Sequence, residues 1–482
     1  MIHPIQVFAV LALALSTLAP GAAAQGYDVV LHHGRVMDPE SGLDAVRDVG
    51  IVGGVIRAIT EQSLSGKTVI DATGLVIAPG FIDLHQHSQL PEDYRLKAMD
   101  GVTTVAELEV GTADVDAWYK VREGKTPINF AVSVGHIQCR MVVMGDKPEF
   151  LPAANSGAAL KPATEAQLAE VCKLIEHGLD RGAVAVGFGL QYTPAASQWE
   201  TVEVFRVAAK YQAPCHLHMR AKGESGPQNV YSATLEIIAA SALTGAPAQV
   251  CHVQSTAMRA TPRVLELIAA ARARGVDISV ECYPYTAGMT DIKSAIFNPG
   301  WDTVGDMTFH DLQWPATGER LTAETFARYR QTGGLVIIHA NSEEVIRDVV
   351  ANPMTMIASD GLRGHPRHAG TSARVIGHYA RELKAITLMQ AIDKLALMPA
   401  KRLEARVPAM KNKGRVRVGA DADLAIFDPN TIIDRATYTQ ADLPSAGIPH
   451  VLVAGAFVVR DGEFQTKALP GRPVRAPLRE KP

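Results

Sequence analysis

Short apolar runs alternate with amphipathic stretches from about residue 79 to residue 400. Most of the runs are separated by segments with apolar residues at i, i+3 and i+4, which is the spacing of an amphipathic helix. This alternation predicts repeated β-α units, and hence an α/β fold built on a parallel (β/α)8 barrel. The runs are GVTTVAELE, NFAVSVGH, AVAVGFGL, APCHLHMR, APAQVCHV, DISVECYPY, GLVIIHA and TMIASDG.

The two ends of the chain have a different pattern. Residues 27–78 and the residues after 415 are rich in Val and Ile with intervening Gly, Asp and Pro, which is typical of short antiparallel strands joined by turns. We expect the ends to pair, so that residues 25–78 and 401–482 form one composite β domain beside a barrel of residues 79–400. Residues 289–325 are richer in polar residues, Gly and Pro, and predict a long loop over the barrel mouth.

The first 24 residues form a separate segment. Residues 7–18 are an apolar run of twelve residues, too short to span a bilayer, and Ala22–Ala24 follow as a small-residue cleavage pattern. This arrangement is typical of a secretory signal peptide, although residues 1–6 contain no Lys or Arg. We therefore expect an exported protein, periplasmic or secreted, with no stable membrane insertion after cleavage.

Composition narrows the classes of function. The 482 residues include 47 Lys and Arg against 50 Asp and Glu, so the chain lacks the basic excess of nucleic-acid-binding proteins. Five cysteines are too few, and odd in number, for a disulfide framework. Histidine stands out, because several of its sixteen copies lie in close pairs. These features favour an enzyme acting on a small molecule, and they leave the oligomeric state open.

The most informative pair is His85 and His87, which follow the apolar run Phe81-Ile82-Asp83-Leu84. We place this His-x-His at the C-terminal end of a strand, where alternate side chains point the same way about 7 Å apart. Two imidazoles at that spacing can hold one divalent ion.

Three further polar residues end predicted strands: His218, His252 and Asp360. His216 lies two residues before His218, and spacing alone allows either histidine as a ligand. Barrel active sites are built at the carboxyl ends of the strands. These strand ends can therefore bind one or two metal ions and leave coordination positions open for water, and the histidine-rich ligands favour Zn²⁺.

These motifs resemble the amidohydrolase superfamily and, within it, the N-acyl-D-amino acid deacylases (D-aminoacylases). The resemblance extends from residue 27 to about residue 465. It implies a TIM-like metallo-hydrolase (β/α)8 barrel with a small β-sandwich domain formed by both terminal segments. The similar stretches are PGFIDLHQHS, Gly135-His136 with Arg140, HLHMRAKGE, VCHVQSTA, ECYPYTAGMT, TMIASDG followed by HPRHAGT, GADADLAIFDP and DPNTIIDRAT.

The resemblance also implies residue roles. HLHMR matches a segment whose histidine directly precedes Met-Arg, which favours His218 over His216. Asp360 matches the aspartate that contacts metal, takes the proton of the attacking water and delivers it to the leaving amine. The implied histidine ligands are His85 and His87 at one metal and His218 and His252 at a second, tighter site.

One departure from the family concerns a metal ligand. D-aminoacylases carry a ligating cysteine after a GVTTV strand, whereas here Glu107 and Glu109 stand at that strand's end. A carboxylate can bridge two divalent ions. We expect Glu109 to be the ligand because it lies nearer the strand end, with Glu107 as the alternative on the same face. The run AVAVGFGL has no lysine for carbamylation, which disfavours dihydroorotase- and hydantoinase-like metal bridging.

A second departure concerns the substrate. After the residue that matches His252, the family usually has a lysine that contacts the substrate carboxylate, whereas here Gln254 takes its place. Carboxylate binding must then come from elsewhere or be weaker. The candidates to bind substrate, by anchoring an anion or polarising the scissile carbonyl, are Arg220, Arg367, Tyr283, Tyr285 and His136.

The resulting hypothesis is a metal-dependent hydrolase that cleaves the C–N amide bond of N-acyl amino acids, of the D series by resemblance, through metal-activated water. Because both departures alter the site, a related amidohydrolase of other specificity is the alternative: a dipeptidase, a lactonase or a lipid-amide hydrolase. A non-catalytic exported binding protein is a third hypothesis. The intact set of ligands argues against it.

Overall fold

The structure is a computed structural model that describes residues 26–226, 228–303 and 307–479; the predicted signal peptide, residues 1–24, lies outside them. The described chain begins with five short strands. They contribute to a nine-stranded sheet that also takes strands from the far end of the chain. The five are β1 (Tyr27–Asp38), β2 (Leu43–Val52), β3 (Val55–Thr60), β4 (Gly66–Asp71) and β5 (Val76–Pro79).

Eight parallel strands of the described chain then form a nearly closed barrel, which confirms the predicted α/β barrel fold. Strand β8 is buried along its whole length and β7 along most of it, which explains their continuous apolar runs. The last barrel strand meets the first where the backbone N–H of Ser359 donates to Asp83 at 2.9 Å. The first seven are β6 (Phe81–Asp83), β7 (Val102–Thr112), β8 (Asn129–Gly135), β9 (Val186–Gly189), β10 (Cys215–His218), β11 (Ala248–Val250) and β12 (Ile278–Cys282).

A small antiparallel sheet is inserted before the barrel is completed. It contains β13 (Ala287–Asp291), β14 (Leu312–Gln313) and β15 (Leu335–His339), and β16 (Thr355–Ile357) then pairs with β12 as the eighth barrel strand. The run GLVIIHA therefore belongs to the inserted sheet, and the FID segment of β6 completes the barrel instead. The described residues of 289–325, predicted as a long loop, contain the end of β13, three short 3-10 turns, β14 and the start of the helix Ala323–Thr332, and apolar residues of this segment pack with Phe326 into a local core that includes Phe297 and Trp301.

The C-terminal strands complete the sheet that β1–β5 begin. β17 (Leu424–Phe427) pairs antiparallel with β5, and β18 (His450–Val453), β19 (Ala456–Arg460) and β20 (Glu463–Phe464) follow in order. The prediction of a purely antiparallel N-terminal sheet is wrong, because β4 and β5 run parallel to β1. The sheet bends back on itself where the Ile56 N–H donates to the Ala420 carbonyl at 3.0 Å.

Helices connect the barrel strands and surround them. The longest, α5, begins with a capping box in which Thr164 and Gln167 satisfy each other's backbone N–H groups. The last, α14, crosses residue 401, where we predicted a domain boundary. The α-helices are α1 (Pro91–Met99), α2 (Val115–Lys120), α3 (His136–Met144), α4 (Gly157–Leu160), α5 (Glu165–Asp180), α6 (Gln198–Lys210), α7 (Val230–Thr244), α8 (Val253–Ala257), α9 (Thr261–Ala273), α10 (Ala323–Thr332), α11 (Glu343–Ala351), α12 (Arg367–Arg374), α13 (Leu388–Ile392) and α14 (Met398–Glu404).

The C-terminal tail lies under the barrel. The Val474 N–H donates to the Phe130 carbonyl at 2.8 Å, and the Ala476 N–H donates to the Gly182 carbonyl at 3.0 Å. These contacts lie near the amino ends of β8 and β9, so the carboxyl ends stay open on the opposite side. No helix in the described ranges has the length and apolar character needed to cross a membrane.

Candidate metal centre

Six side chains from five barrel strands converge at the carboxyl end of the barrel. Glu109 lies within β7 and His218 ends β10, while the others follow β6, β11 and β16 directly. All but His87 belong to buried residues, and His87 is nearly so. The structure thus brings together every residue predicted as a metal ligand: His85, His87, Glu109, His218, His252 and Asp360.

The Glu109 carboxylate lies between two groups of imidazoles. Its Oε2 is 2.7 Å from His85 Nε2 and 3.1 Å from His252 Nε2, and its Oε1 is 3.2 Å from His218 Nδ1. The Glu109 carboxylate thus contacts histidines of both groups, with Oε2 shared between His85 and His252, and a carboxylate in this position can bridge two ions.

Glu107 has a different position although it precedes Glu109 by only two residues. It accepts hydrogen bonds from His87 Nδ1 at 2.6 Å and from the Val110 N–H at 3.0 Å. The pairing register of β7 with β8 shifts beyond Glu107, so the two carboxylates do not project into the same space. Of the two alternatives, the structure places Glu109 inside the cluster and Glu107 behind it.

The first group, His85, His87, Glu109 and Asp360, has its ligand atoms within 4.8 Å of one another. His85 Nε2 and His87 Nε2 face each other at 3.0 Å, and His87 Nε2 lies 3.2 Å from Asp360 Oδ1. Two imidazole nitrogens and two carboxylates converging in this way form a donor set that suits a divalent cation.

Carboxylates also hold the outer nitrogens of these histidines. His85 Nδ1 lies 2.5 Å from Glu281, and His87 Nδ1 lies 2.6 Å from Glu107. An Nδ1–H that donates to a carboxylate fixes the ring and leaves Nε2 with its lone pair free for a metal. The orientation of both rings therefore fits metal binding.

The second group contains Glu109, His218 and His252. Nε2 of His218 lies 2.8 Å from the Gln191 side-chain oxygen, while the buried Nδ1 of His218, 3.2 Å from Glu109, makes no hydrogen bond within the described chain. A buried imidazole nitrogen without a hydrogen-bond partner, next to a carboxylate, is accounted for by a bound cation. His216, the alternative to His218, belongs to neither group of candidate ligands, and its burial holds its pKa well below the usual value.

The backbone is left-handed at two of the strand ends. His252 has φ 29° and ψ 55°, and Asp360 has φ 50°. Residues other than glycine uncommonly adopt this region, although Asp and His tolerate it better than most. The barrel framework thus imposes on His252 a conformation that aims its ring at Glu109.

The electrostatics of the cluster favour bound positive charge. Burial raises the pKa of the Glu109 carboxyl, but the imidazoles of His85 and His218 outweigh it and hold that pKa well below its usual value. Burial alone would lower the pKa of the His87 imidazole, but the Glu107 and Asp360 carboxylates outweigh burial and raise that pKa to about 9. The pKa of the Asp360 carboxyl is also held below its usual value, so two buried carboxylates of the cluster are ionised and need compensating cations, which divalent metal ions would supply.

A cavity opens beside the cluster. Its polar wall includes Lys222 and Ser255, and its apolar wall includes Val110, Phe150 and Leu151. The Phe150 ring contacts His87 edge to face, with the ring centroids 5.0 Å apart. Because the metal-ligand candidates His87, Glu109 and Asp360 also line this cavity, it is the place for a substrate.

Two of the predicted substrate-binding residues lie at this centre. Arg367 Nη1 lies 2.9 Å from Asp360 Oδ2, which makes an ion pair, and the Arg367 guanidinium lies 4.6 Å from the centre of the Tyr283 ring. A Cβ atom at Gly288 would lie 3.0 Å from Tyr283 Oη and 3.2 Å from Ser255 Oγ, so glycine keeps a small polar cradle open between these hydroxyls.

The other three predicted substrate-binding residues are not brought to the cavity, because each is bound by an acidic partner elsewhere. Arg220 makes a bidentate ion pair with Glu236, at 2.8 and 2.9 Å. The Tyr285 hydroxyl donates to Asp434 at 3.2 Å, and His136 lies 2.8 Å from Glu200. These acidic partners are 16, 149 and 64 residues away in the chain, so no local sequence pattern predicts the three ion pairs and hydrogen bonds.

Sequence reasoning missed several residues at the site. Glu281 lies within the buried strand β12. A carboxylate inside an apolar run is unusual, and this signal could have identified Glu281 as a candidate site residue. Gln191 and Lys222 lie in loops and Ser255 lies in the short helix α8, and only the folded chain brings these three residues to the cluster.

Comparison with known proteins agrees with this geometry. The sequence pattern described as "Amidohydrolase family" matches residues 68–132 and 149–459. N-acyl-D-glutamate deacylase of Alcaligenes xylosoxydans xylosoxydans is 32% identical over 483 residues, which cover 89% of this chain and 93% of that protein. An N-acyl-D-glutamate deacylase from Bordetella bronchiseptica, solved with zinc and a phosphonate mimic of the tetrahedral intermediate, superposes with a TM-score of 0.80 at 28% identity, covering 94% of this chain and all of that one. A D-aminoacylase structure described with a binuclear metal centre gives a TM-score of 0.79 at 27% identity, covering 93% of this chain and all of that one.

Proposed function

The chain belongs to the amidohydrolase family, and from this premise we propose that it hydrolyses the C–N amide bond of N-acyl amino acids of the D series. It is a metal-dependent hydrolase of amide bonds outside the peptide backbone. The observation that carries the proposal is the position of Glu109, whose carboxylate lies between imidazoles on two sides. The cavity beside this cluster, which the metal-ligand candidates line, is where a small-molecule substrate would bind.

The residues of the cluster divide into two ligand sets for one or two zinc ions. His85, His87 and Asp360 would hold one ion, His218 and His252 would hold the other, and Glu109 would be shared between them. When bound, a divalent ion supplies Lewis acidity, which polarises a carbonyl and makes water a usable nucleophile near neutral pH.

Asp360 is the residue that moves the proton. Burial raises the pKa of its carboxyl, but the guanidinium of Arg367 and the imidazole of His85 hold that pKa well below its usual value, so Asp360 is available as a base. Arg367 binds Oδ2 at 2.9 Å and leaves Oδ1 directed toward His87. Asp360 accepts a proton from the attacking water and delivers it to the leaving nitrogen as the C–N bond breaks.

The remaining walls of the cavity orient the substrate. The hydroxyls of Tyr283 and Ser255 flank the cradle at Gly288 and can donate hydrogen bonds to a substrate oxygen. Val110, Phe150 and Leu151 form an apolar surface that suits an acyl chain or an aliphatic side chain.

The test is amine release from paired N-acetyl-D-leucine and N-acetyl-L-leucine by the zinc-loaded protein. We expect turnover of the D compound, and we expect Asp360→Asn to lower kcat/KM by at least about 10²- to 10⁴-fold, the usual contribution of a general acid-base group. Asp348→Asn, the same change at an exposed site, is the control and should leave kcat/KM unchanged.

Retention of full turnover by Asp360→Asn would refute the mechanism. Turnover of dipeptides, lactones or lipid amides without any N-acyl amino acid would replace the proposal with one of those specificities.

We further propose that the protein is exported to the periplasm or secreted. The support is the apolar segment of residues 7–18 followed by small residues up to Ala24.

A further inference from the structure

Lys222 places a positive charge in the wall of the cavity. It lies in the loop that follows β10, four residues after His218, and lines the same cavity as His252 and Asp360. In the described part of the chain no carboxylate lies within 4 Å of its ammonium group, and no described group accepts a hydrogen bond from it. An ammonium that is partly removed from water without a partner costs free energy, which a bound anion would recover.

The other cations near the cavity are already bound by acids. Arg367 forms an ion pair with Asp360 at 2.9 Å, and Arg220 is held by both carboxylate oxygens of Glu236. Burial lowers the pKa of Lys222 to about 8, which still leaves most of its ammonium groups protonated at neutral pH. Lys222 thus keeps its charge for a group that enters the cavity.

Lys222 lies close in the fold to Gln254, the position at which the D-aminoacylase resemblance implies a lysine. The N–H of Gly223, the next residue, donates to the Thr256 carbonyl at 3.0 Å, which joins the loop of Lys222 to the helix that carries Gln254. Ser255, beside Gln254, lines the cavity together with Lys222. Gln254 itself is fully buried, and its side-chain NH₂ donates to the Tyr283 carbonyl at 3.1 Å. It therefore offers no charge to a substrate.

We propose that the Lys222 ammonium binds the substrate carboxylate and supplies, from the loop after β10, the positive charge that Gln254 does not provide. The inference rests on the proposed function, because it concerns the acid group of an N-acyl amino acid. It makes Lys222 the residue by which this chain prefers a free acid to a neutral derivative of the same amino acid.

The experiment measures binding instead of turnover. The probe is N-methylsulfonyl-D-leucine, which carries the carboxylate but no hydrolysable amide, and its carboxamide is the neutral counterpart. Both are titrated calorimetrically into zinc-loaded wild type, Lys222→Met, Lys147→Met and the double variant Lys222→Met with Gln254→Lys. Lys147 is exposed in the segment that leads to Phe150, so its substitution changes the net charge equally outside the cavity.

We expect Lys222→Met to weaken binding of the acid by about 10- to 100-fold, as for loss of a charged hydrogen bond, and to leave binding of the carboxamide unchanged. Lys147→Met should bind both probes like the wild type. The double variant should regain at least about tenfold of the lost affinity, since residue 254 is the position at which the D-aminoacylase resemblance implies a lysine that contacts the substrate carboxylate.

Equal weakening of acid and carboxamide by Lys222→Met would show a structural role and overturn the inference. Unchanged acid binding would also overturn it, while the proposed function would stand if the wild type releases amine from N-acetyl-D-leucine. A wild type that binds neither probe and releases no amine would refute both.

Discussion

Glu200→Gln tests the interpretation that the His136 cluster stabilises the fold and takes no part in catalysis. Glu200 is buried, and its two carboxylate oxygens lie 2.5 and 2.6 Å from the Arg140 guanidinium and 2.8 Å from His136. Burial raises the pKa of this carboxyl, but His136 and Arg140 outweigh burial and bring it from 4.5 to about 2.

The size of the effect follows from that pKa. A group whose pKa is lower in the folded state stabilises the fold fully above its unfolded pKa, and this contribution is lost as the pH falls through the folded value. For Glu200 the linkage amounts to about 3 kcal/mol at pH 7, and it is somewhat smaller at pH 4 because the unfolded-state carboxyl is then mostly protonated. Gln cannot ionise, so the variant should lack this contribution at both pH values.

The assay is equilibrium urea unfolding at pH 7 and pH 4, with kcat/KM measured separately per mole of folded protein. Glu203→Gln is the matched control: it lies on the same helix and pairs with Arg206 in an exposed i, i+3 ion pair, which contributes about 0.5 kcal/mol or less. Glu200→Gln should lower the free energy of unfolding and keep its zinc content and kcat/KM.

Two results would contradict this reasoning. If Glu200→Gln were as stable as Glu203→Gln at pH 7, the buried ion pair would not stabilise the fold. If the folded variant lost kcat/KM at unchanged stability, His136 would act on the substrate after all.

Two more predictions concern the metal ligands and export. Glu109→Gln should lower the zinc content at both sites, because both ligand sets share its carboxylate, whereas Glu107→Gln should weaken zinc affinity by about 10- to 100-fold, as for loss of a group that orients a ligand. Mass-spectrometric metal analysis after dialysis against buffered zinc separates these outcomes. Equal loss of zinc in both variants would contradict the assignment of Glu109. Expression of the full chain in a bacterium should yield a periplasmic or secreted protein that begins at Gln25, and intact-mass measurement of a chain that retains Met1 would rule out cleavage.

The metal ligands could be predicted from sequence because each is marked locally. His85 and His87 follow an apolar run with period-two spacing, and His252 and Asp360 end such runs, so strand geometry places them on one face. The choice between Glu107 and Glu109 needed the structure, since the shift of register beyond Glu107 has no signature in the sequence.

Substrate-binding residues were less predictable because their environments are set by distant parts of the chain. Arg220 belongs to the HLHMR motif and lies two residues from His218, yet Glu236 of the following helix takes its guanidinium. Lys222, only two residues further along, reaches the cavity. The run GLVIIHA resembles a barrel strand equally well, and only its antiparallel partners, β13 and β14, separate it from the barrel.

The nine-stranded sheet has a consequence for the order of synthesis. Its central pair of strands is β5, which ends at Pro79, and β17, which begins at Leu424. The edge of β5 therefore stays unpaired until nearly the whole barrel has been synthesised. The tail that contacts Phe130 is later still. Contacts of such long sequence separation form slowly. A nascent chain therefore cannot complete this sheet until the strands that begin at Leu424 have left the ribosome, and under the export that we propose this delay would keep the chain unfolded for translocation.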